Sequence, residues 1–294
     1  MTPGVILSML YCGAAFGGSF LFMRIAAPDL PPPAVAFLRV SIAAAVLLLI
    51  SGTTALQAFR RDWRRFAFLG VFMTGGPFLL FAAAEQTITA GLGAVLNATT
   101  PMWTVLIVAI WLRQPLTLAR VAAIVIGFAG VAVIVGTEGL RIGPEAWTGV
   151  GLASVAASLY GIGLTFARRH MSGHAPVALA FGQLAAGALL LAPFALLTAG
   201  EAHPTVASAA AIFGIAIVST AIAWPLLFRL NRQVGPLATS TIPFLNPIFG
   251  VLWGALFLRE AVTPTLLGGG LLVFVALALI LDVRPRRAAR PTPA

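Results

Sequence analysis

Ten apolar runs, most of them close to 20 residues long, alternate with short polar segments along most of this 294-residue chain. They fall near residues 5–25, 33–50, 66–84, 91–111, 118–135, 147–167, 176–197, 206–230, 237–258 and 264–281. A helix needs about 20 apolar residues to cross a hydrocarbon core of ~30 Å. Lipid offers no water to exposed backbone groups, so only helices and closed barrels can span it. Barrel strands are short and alternate in polarity, whereas these runs are continuous. The pattern predicts ten transmembrane helices.

Composition sharpens the picture. Hydrophobic residues make up 60% of the chain and charged residues 9%, against about 25% charged in soluble domains. The net charge of +10 comes from arginines, with no lysine. They sit between the apolar runs and form no basic face for a nucleic acid. With both termini placed in the cytoplasm, 14 arginines fall inside, among them the clusters at 60–65, 168–169 and 284–290, against Arg24, Arg141 and Arg259 outside. That is the positive-inside bias of a protein with an even number of spans. The absence of lysine and the abundance of Ala, Gly and Pro suggest a GC-rich bacterial genome, so the expected location is a bacterial cytoplasmic membrane. Residues 284–294 read as a basic cytoplasmic tail. Cys12 is the single cysteine, which excludes intramolecular disulfides and cysteine metal clusters. The first run has no basic segment before it and is read as a mature helix, not a signal peptide.

The chain is also written twice. Pro101-Met102-Trp103, followed by Leu112-Arg113-Gln114, aligns at an offset of 146 with Pro247-Ile248-Phe249 and Leu258-Arg259-Glu260. Pro77 matches Pro225, Phe16-Gly17 matches Tyr160-Gly161, and Arg39 falls over Gln183. Each half therefore carries five spans, and five is odd, so the second half enters the membrane inverted. Inverted repeats are an architecture of secondary transporters, which bind their cargo near the midplane where the repeats meet. The recurring proline, apolar stretch, Leu-Arg-Glu-Ala-Val-Thr and Gly-rich last helix resemble the EamA domain of the drug/metabolite transporter superfamily. Within it, the chain looks most like the YddG-type exporters of aromatic and other amino acids. One departure is Gln114, where the family usually carries the acid that Glu260 supplies in the second copy. The resemblance implies an all-α membrane protein with ten helices in two inverted repeats, 1–136 and 147–283, around a central cavity.

Candidate site residues follow from polarity and symmetry. Pro77, Pro101, Pro225, Pro243 and Pro247 each remove a helix hydrogen bond within a span. They read either as static kinks or as hinges around the cavity. Polar groups inside apolar spans are few: Ser19, Asn97, Thr100, Gln183 and Asn246 either satisfy carbonyls freed by the prolines or line the cavity. Arg39 is the one charge clearly within a span. Snorkelling, pairing with Asp29 or Glu85, and binding a substrate carboxylate are all open readings. Phe16, Phe20, Phe78, Phe81, Trp103, Tyr160, Trp224, Phe228 and Phe244 lie deep, and taken together would wall a π-rich cavity. Trp63, Trp111 and Trp147 read as interface belt residues. Gly13, Gly17, Gly250 and Gly254 mark close helix contacts.

Enzyme chemistry finds no support: no intramembrane pair of carboxylates, no metal-spaced cluster and no phosphate loop with its lysine are present. No cofactor or metal is expected. The expected function is a monomeric exporter of small metabolites, most readily amino acids including aromatic ones. Nucleotide-sugar or lipid-linked cargo ranks lower because Arg39 is a lone buried base. A membrane enzyme and a structural protein without cargo are the remaining rivals. Every acid lies at or beyond a predicted helix end, so a facilitator without proton coupling is expected, unless Glu85 or Glu260 reaches into the cavity.

Overall fold

A computed structural model describes residues 2–111, 113, 115–142, 144–239 and 242–282, with backbone alone at 135–142, 231–232, 234–239, 243–244 and 280–282. Its helices are α1 (Pro3–Ala26), α2 (Pro32–Ser51), α3 (Thr53–Arg61), α4 (Trp63–Leu69), α5 (Gly76–Ala84), α6 (Ala90–Asn97) and α7 (Thr100–Trp111). They continue as α8 (Leu118–Ile142), α9 (Glu145–His170), α10 (Pro176–Leu197), α11 (Val206–Ala216), α12 (Ala223–Thr239), α13 (Ile242–Leu258) and α14 (Pro264–Asp282). Among the described residues, seven helical segments are long and apolar enough to cross a membrane, and three shorter apolar stretches complete the ten: Leu118–Ile134, Leu245–Leu258 and Pro264–Leu279. The architecture is all-α, with ten spans in two repeats.

The prolines shape the spans as their chemistry requires. Pro77 and Pro225 each follow a six-residue π turn, Gly70–Gly75 and Ile217–Ile222, within the third and eighth spans. A π turn shifts the hydrogen-bond register by one residue and relieves the clash a proline makes with the preceding turn. The fourth span breaks into α6 and α7 at Ala98–Thr99, just ahead of Pro101. Pro247 lies inside α13 without interrupting it. The ninth span begins at Ile242, not at 237 as hydropathy suggests, because α12 continues through its polar stretch to Thr239. Pro243, its φ preset and its missing N–H not needed, sits in the first turn of the new helix.

The repeats exchange partners. The first helix of repeat one, α1, packs on α11, α12 and α13 of repeat two. Its counterpart α9 packs on α5, α6 and α7 of repeat one. The second spans, α2 and α10, face one another, and α8 pairs with α14. That last crossing is close: a methyl built on Gly130 would stand 2.6 Å from the Gly269 carbonyl oxygen. Gly17 serves the α1–α13 contact similarly, 2.7 Å from the Asn246 carbonyl oxygen by the same measure. Small residues replace the missing hydrophobic drive for helix association in lipid by letting backbones meet.

Arg113 and Arg259 lie just beyond α7 and α13 in the left-handed region, at φ 50° and 56°. They are mirror mates in the repeat. The turn after α13 is closed by Glu260 N–H donating to the Gly254 carbonyl at 3.1 Å. A left-handed arginine therefore follows the helix stop in both repeats.

Candidate functional site

Arg39 is the centre of the candidate site. It sits in the middle of α2, is buried, and neither snorkels nor meets an acid: among the described residues, every ion pair is made elsewhere. Its Nε donates to Thr220 Oγ1 at 3.0 Å and a terminal nitrogen donates to Ser19 Oγ at 3.3 Å. The guanidinium carbon lies 3.7 Å from the Phe78 ring centre, a cation–π contact that strengthens as water is excluded. Two neutral hydroxyls and a ring thus hold a charge that has lost its water.

Thr220 is available because of the π turn. Its hydroxyl donates to the Ile215 carbonyl at 2.7 Å, five residues back, while accepting from Arg39. The other repeat carries a mirror version. Thr74, in the first π turn, donates to the Gln183 backbone carbonyl at 2.8 Å and to the Gly70 carbonyl at 3.2 Å. Each second-span polar residue, Arg39 or Gln183, therefore meets a π-turn threonine of the opposite repeat. Both side-chain polar atoms of Gln183 are buried without a hydrogen-bond partner among the described residues.

Aromatic rings extend the cluster. Phe78 meets Tyr160 edge-on at 6.4 Å, Tyr160 stacks on Phe81 at 6.2 Å, and Phe81 meets Phe20 at 5.5 Å. On another side Phe16 meets Trp224 at 5.8 Å, and Trp224 meets Phe228 at 5.7 Å. The Trp224 indole N–H and the Ser219 hydroxyl are buried with no partner among the described residues. Five helices thus bring Phe16, Ser19, Phe20, Arg39, Phe78, Phe81, Tyr160, Trp224 and Phe228 together. A separate apolar pocket of about 410 Å³ lies between α2, α10 and the start of α11, lined by Leu30, Phe37, Leu38 and Phe213 among others. It contains none of the polar candidates.

A transporter-family model matches residues 3–136 and again 147–282, so each repeat is one copy of the EamA-like transporter family. The chain belongs to that family. The threonine/homoserine exporter RhtA of Escherichia coli K12 is 28% identical over 291 residues, covering 95% of this chain and 92% of that protein. Protein PecM of Dickeya dadantii is 25% identical, covering 75% of this chain and 74% of that one. A solved crystal structure, 20% identical, superposes with a TM-score of 0.66 over 95% of this chain and 96% of its own, which shows a common fold. The protein is a multi-pass membrane member of the EamA-like transporters.

In this EamA chain the other sequence candidates are dispersed. Trp103 turns toward α8, meeting Phe128 edge-on at 5.1 Å, with its indole N–H buried and unpartnered. Asn246 is buried at the α1–α13 contact, its amide oxygen without a partner. Asn97 and Thr100 flank the break between α6 and α7. Gln183 stands at the mirror position to Arg39. The side chains of Pro243 and Phe244, residue Gln114 and the tail 284–294 lie outside the described residues. Trp63, Trp111 and Trp147 are exposed, as belt residues should be.

Two acids at the helix ends also matter. Glu260 accepts from the Ala90 and Gly91 backbone N–H groups at 3.0 and 3.3 Å, closing the first turn of α6. Glu85 lies one residue beyond its span, yet its carboxyl is fully buried. Sequence reasoning missed Thr74 and Thr220 altogether. Their only signal was a threonine three residues before Pro77 and five before Pro225.

Proposed function

We propose that this protein exports small metabolites, chiefly amino acids and related carboxylate-bearing compounds, across a bacterial cytoplasmic membrane, as a monomer with both termini in the cytoplasm. Arg39 receives the carboxylate, and the rings of Phe78, Phe81, Tyr160 and Trp224 wall the side chain, so aromatic amino acids fall within its range. The observation that carries the reading is the uncompensated burial of Arg39. An isolated buried charge costs several kcal/mol, and a guanidinium fork recovers that cost best from a carboxylate bound through two oxygens. A phosphate-rich cargo asks for several bases, and the described spans bury only this one. The threonine/homoserine exporter named above, similar over nearly its whole length, supports an amino-acid cargo. The duplicated π turns and the break ahead of Pro101 support alternating access through bending of the third, fourth and eighth spans.

The test is transport in proteoliposomes of labelled amino acids beside the matching amino alcohols and amines, which lack the carboxylate. Amino acids should be moved and their decarboxylated partners should not. Arg39→Gln should abolish transport and Arg39→Lys, which keeps charge but loses the fork, should retain a small part of it. Equal transport of amino acid and amine, or an Arg39→Gln variant that works like the parent, overturns the reading.

A further inference from the structure

Glu85 is the buried group that transport of an amino acid leaves unused. It follows α5, with none of its surface exposed. Among the described residues, neither carboxyl oxygen has a hydrogen-bond partner. Ionised carboxylates that are dry and unpartnered are among the costliest groups a fold can hold, and such a group takes a proton instead. Its surroundings were built for close approach: one oxygen lies against the Cα of Gly93 on α6, in the space any side chain there would fill.

The charged neighbours do not neutralise it. Arg24, on α1, spends its guanidinium on backbone carbonyls, donating to Glu85 O at 2.6 Å and Gln86 O at 3.3 Å. Glu260, in the turn after α13, is a second negative charge, held by the amides of Ala90 and Gly91. α6 contributes no titratable group. α9 presents Glu145 at its exposed N-terminus and Tyr160 deeper, and α2 presents Arg39, already engaged by Ser19 and Thr220. Burial first, then the Glu260 charge, push the Glu85 carboxyl well above the ordinary carboxylate range, with Arg24 opposing.

We propose that Glu85 binds a proton while this end of the bundle is closed and releases it to the outside water when that end opens, so that alkaline pH on that side favours opening. The sign follows from linkage. A carboxyl that is neutral when buried stabilises the closed form at low pH, and that advantage is lost as pH rises through the closed-state value. One proton changes the open-to-closed ratio by at most about tenfold per pH unit. Export then carries a proton-dependent step at the release face, which the facilitator expected from the placement of the acids lacks. The proposal rests on the transport reading and its orientation only for that consequence; the experiment reads the gate itself.

Ile88, buried in the same loop and covered by the start of α9, is the reporter. Ile88→Cys is made in a Cys12→Ala background, placed in nanodiscs where both faces are accessible, and treated with a membrane-impermeant maleimide from pH 5.5 to 8. Labelling is divided by that of the same protein unfolded in detergent at each pH, which cancels the thiol's own titration. The expected result is a several-fold rise with pH in the Glu85 protein. Glu85→Gln should be flat at the low-pH level, and Glu85→Asp and Glu260→Gln should keep a rise. A flat profile in the parent, a Glu85→Gln profile that rises like the parent's, or a rise that disappears with Glu260→Gln alone overturns it. Should Glu85→Gln fail to fold, the parent and Glu85→Asp profiles still decide. Failure of every amino acid to be transported leaves this readout untouched.

Discussion

Removing the Thr220 hydroxyl tests whether the π turn exists to hold Arg39. Thr220→Val keeps the shape and deletes the acceptor that takes the Arg39 Nε–H at 3.0 Å. Hydrogen bonds to a charged group are worth about 1.5–3 kcal/mol, and the remaining contact to Ser19 is longer, at 3.3 Å. The mirror substitution, Thr74→Val, removes a neutral bond to the Gln183 carbonyl. Such interhelical bonds in membranes average about 0.6 kcal/mol. The two variants change the same atoms, in matching turns, and differ only in what they release. At 1.4 kcal/mol per factor of ten, Thr220→Val should raise the KM for an amino-acid substrate by roughly tenfold or more and lower thermal stability in detergent. Thr74→Val should change KM by no more than about threefold, by the same conversion. Thr220→Ser should restore most of the loss. If Thr74→Val harms transport as much as Thr220→Val, or Thr220→Val matches the parent, the threonine serves the helix alone and the Arg39 argument is wrong.

Two further outcomes follow from local structure. Arg259, at φ 56°, bears a left-handed penalty of about 1–2 kcal/mol, while glycine in an unfolded chain costs about 0.5–1 kcal/mol, so Arg259→Gly should leave melting unchanged or raise it slightly; a clear fall in melting temperature would show that the side chain itself holds the turn. Asp62, between α3 and α4, is held below the usual carboxylate range by its bond to Arg61 at 3.1 Å and its contact with His174 at 3.0 Å. A depressed carboxyl stabilises the fold above its unfolded value near ~3.9 and loses that contribution as pH falls through the lower folded value. Melting of the parent should therefore drop more steeply between pH 5 and 3 than melting of Asp62→Asn, and parallel curves would refute the link.

Much of this molecule could be read from residues alone because the membrane imposes strict bookkeeping on hydropathy. Span number, the duplicated prolines and the correspondence of Arg39 with Gln183 all follow from it. What could not be read were quantities set by rotation about a helix axis or by a neighbour in space. Trp103 stands at the expected depth, but only the packed structure shows that it faces Phe128. Glu85 falls at a helix end in any hydropathy profile; its burial depends on Gly93 of the next helix letting it in. Thr74 and Thr220 look like ordinary threonines bonded back to their own turns. They gain importance only because the π turns rotate them toward the opposite repeat.

The imperfect symmetry bears on how cargo is counted. Both repeats carry a π turn, a threonine within it and a proline after it, and in both the threonine meets the second span of the other repeat. A motion that rocks one repeat against the other must therefore repack two matching seams together, Arg39–Thr220 and Gln183–Thr74. Had both seams held arginine, two buried charges of one sign would face each other across the bundle, repelling in a medium where each is already costly. With an amide in the second seam, the geometry of the repeat is kept and the charge appears once. In the export reading proposed above, a single guanidinium fixes one carboxylate per cycle, and it leaves the fold with one polar direction that its two-fold architecture would otherwise erase.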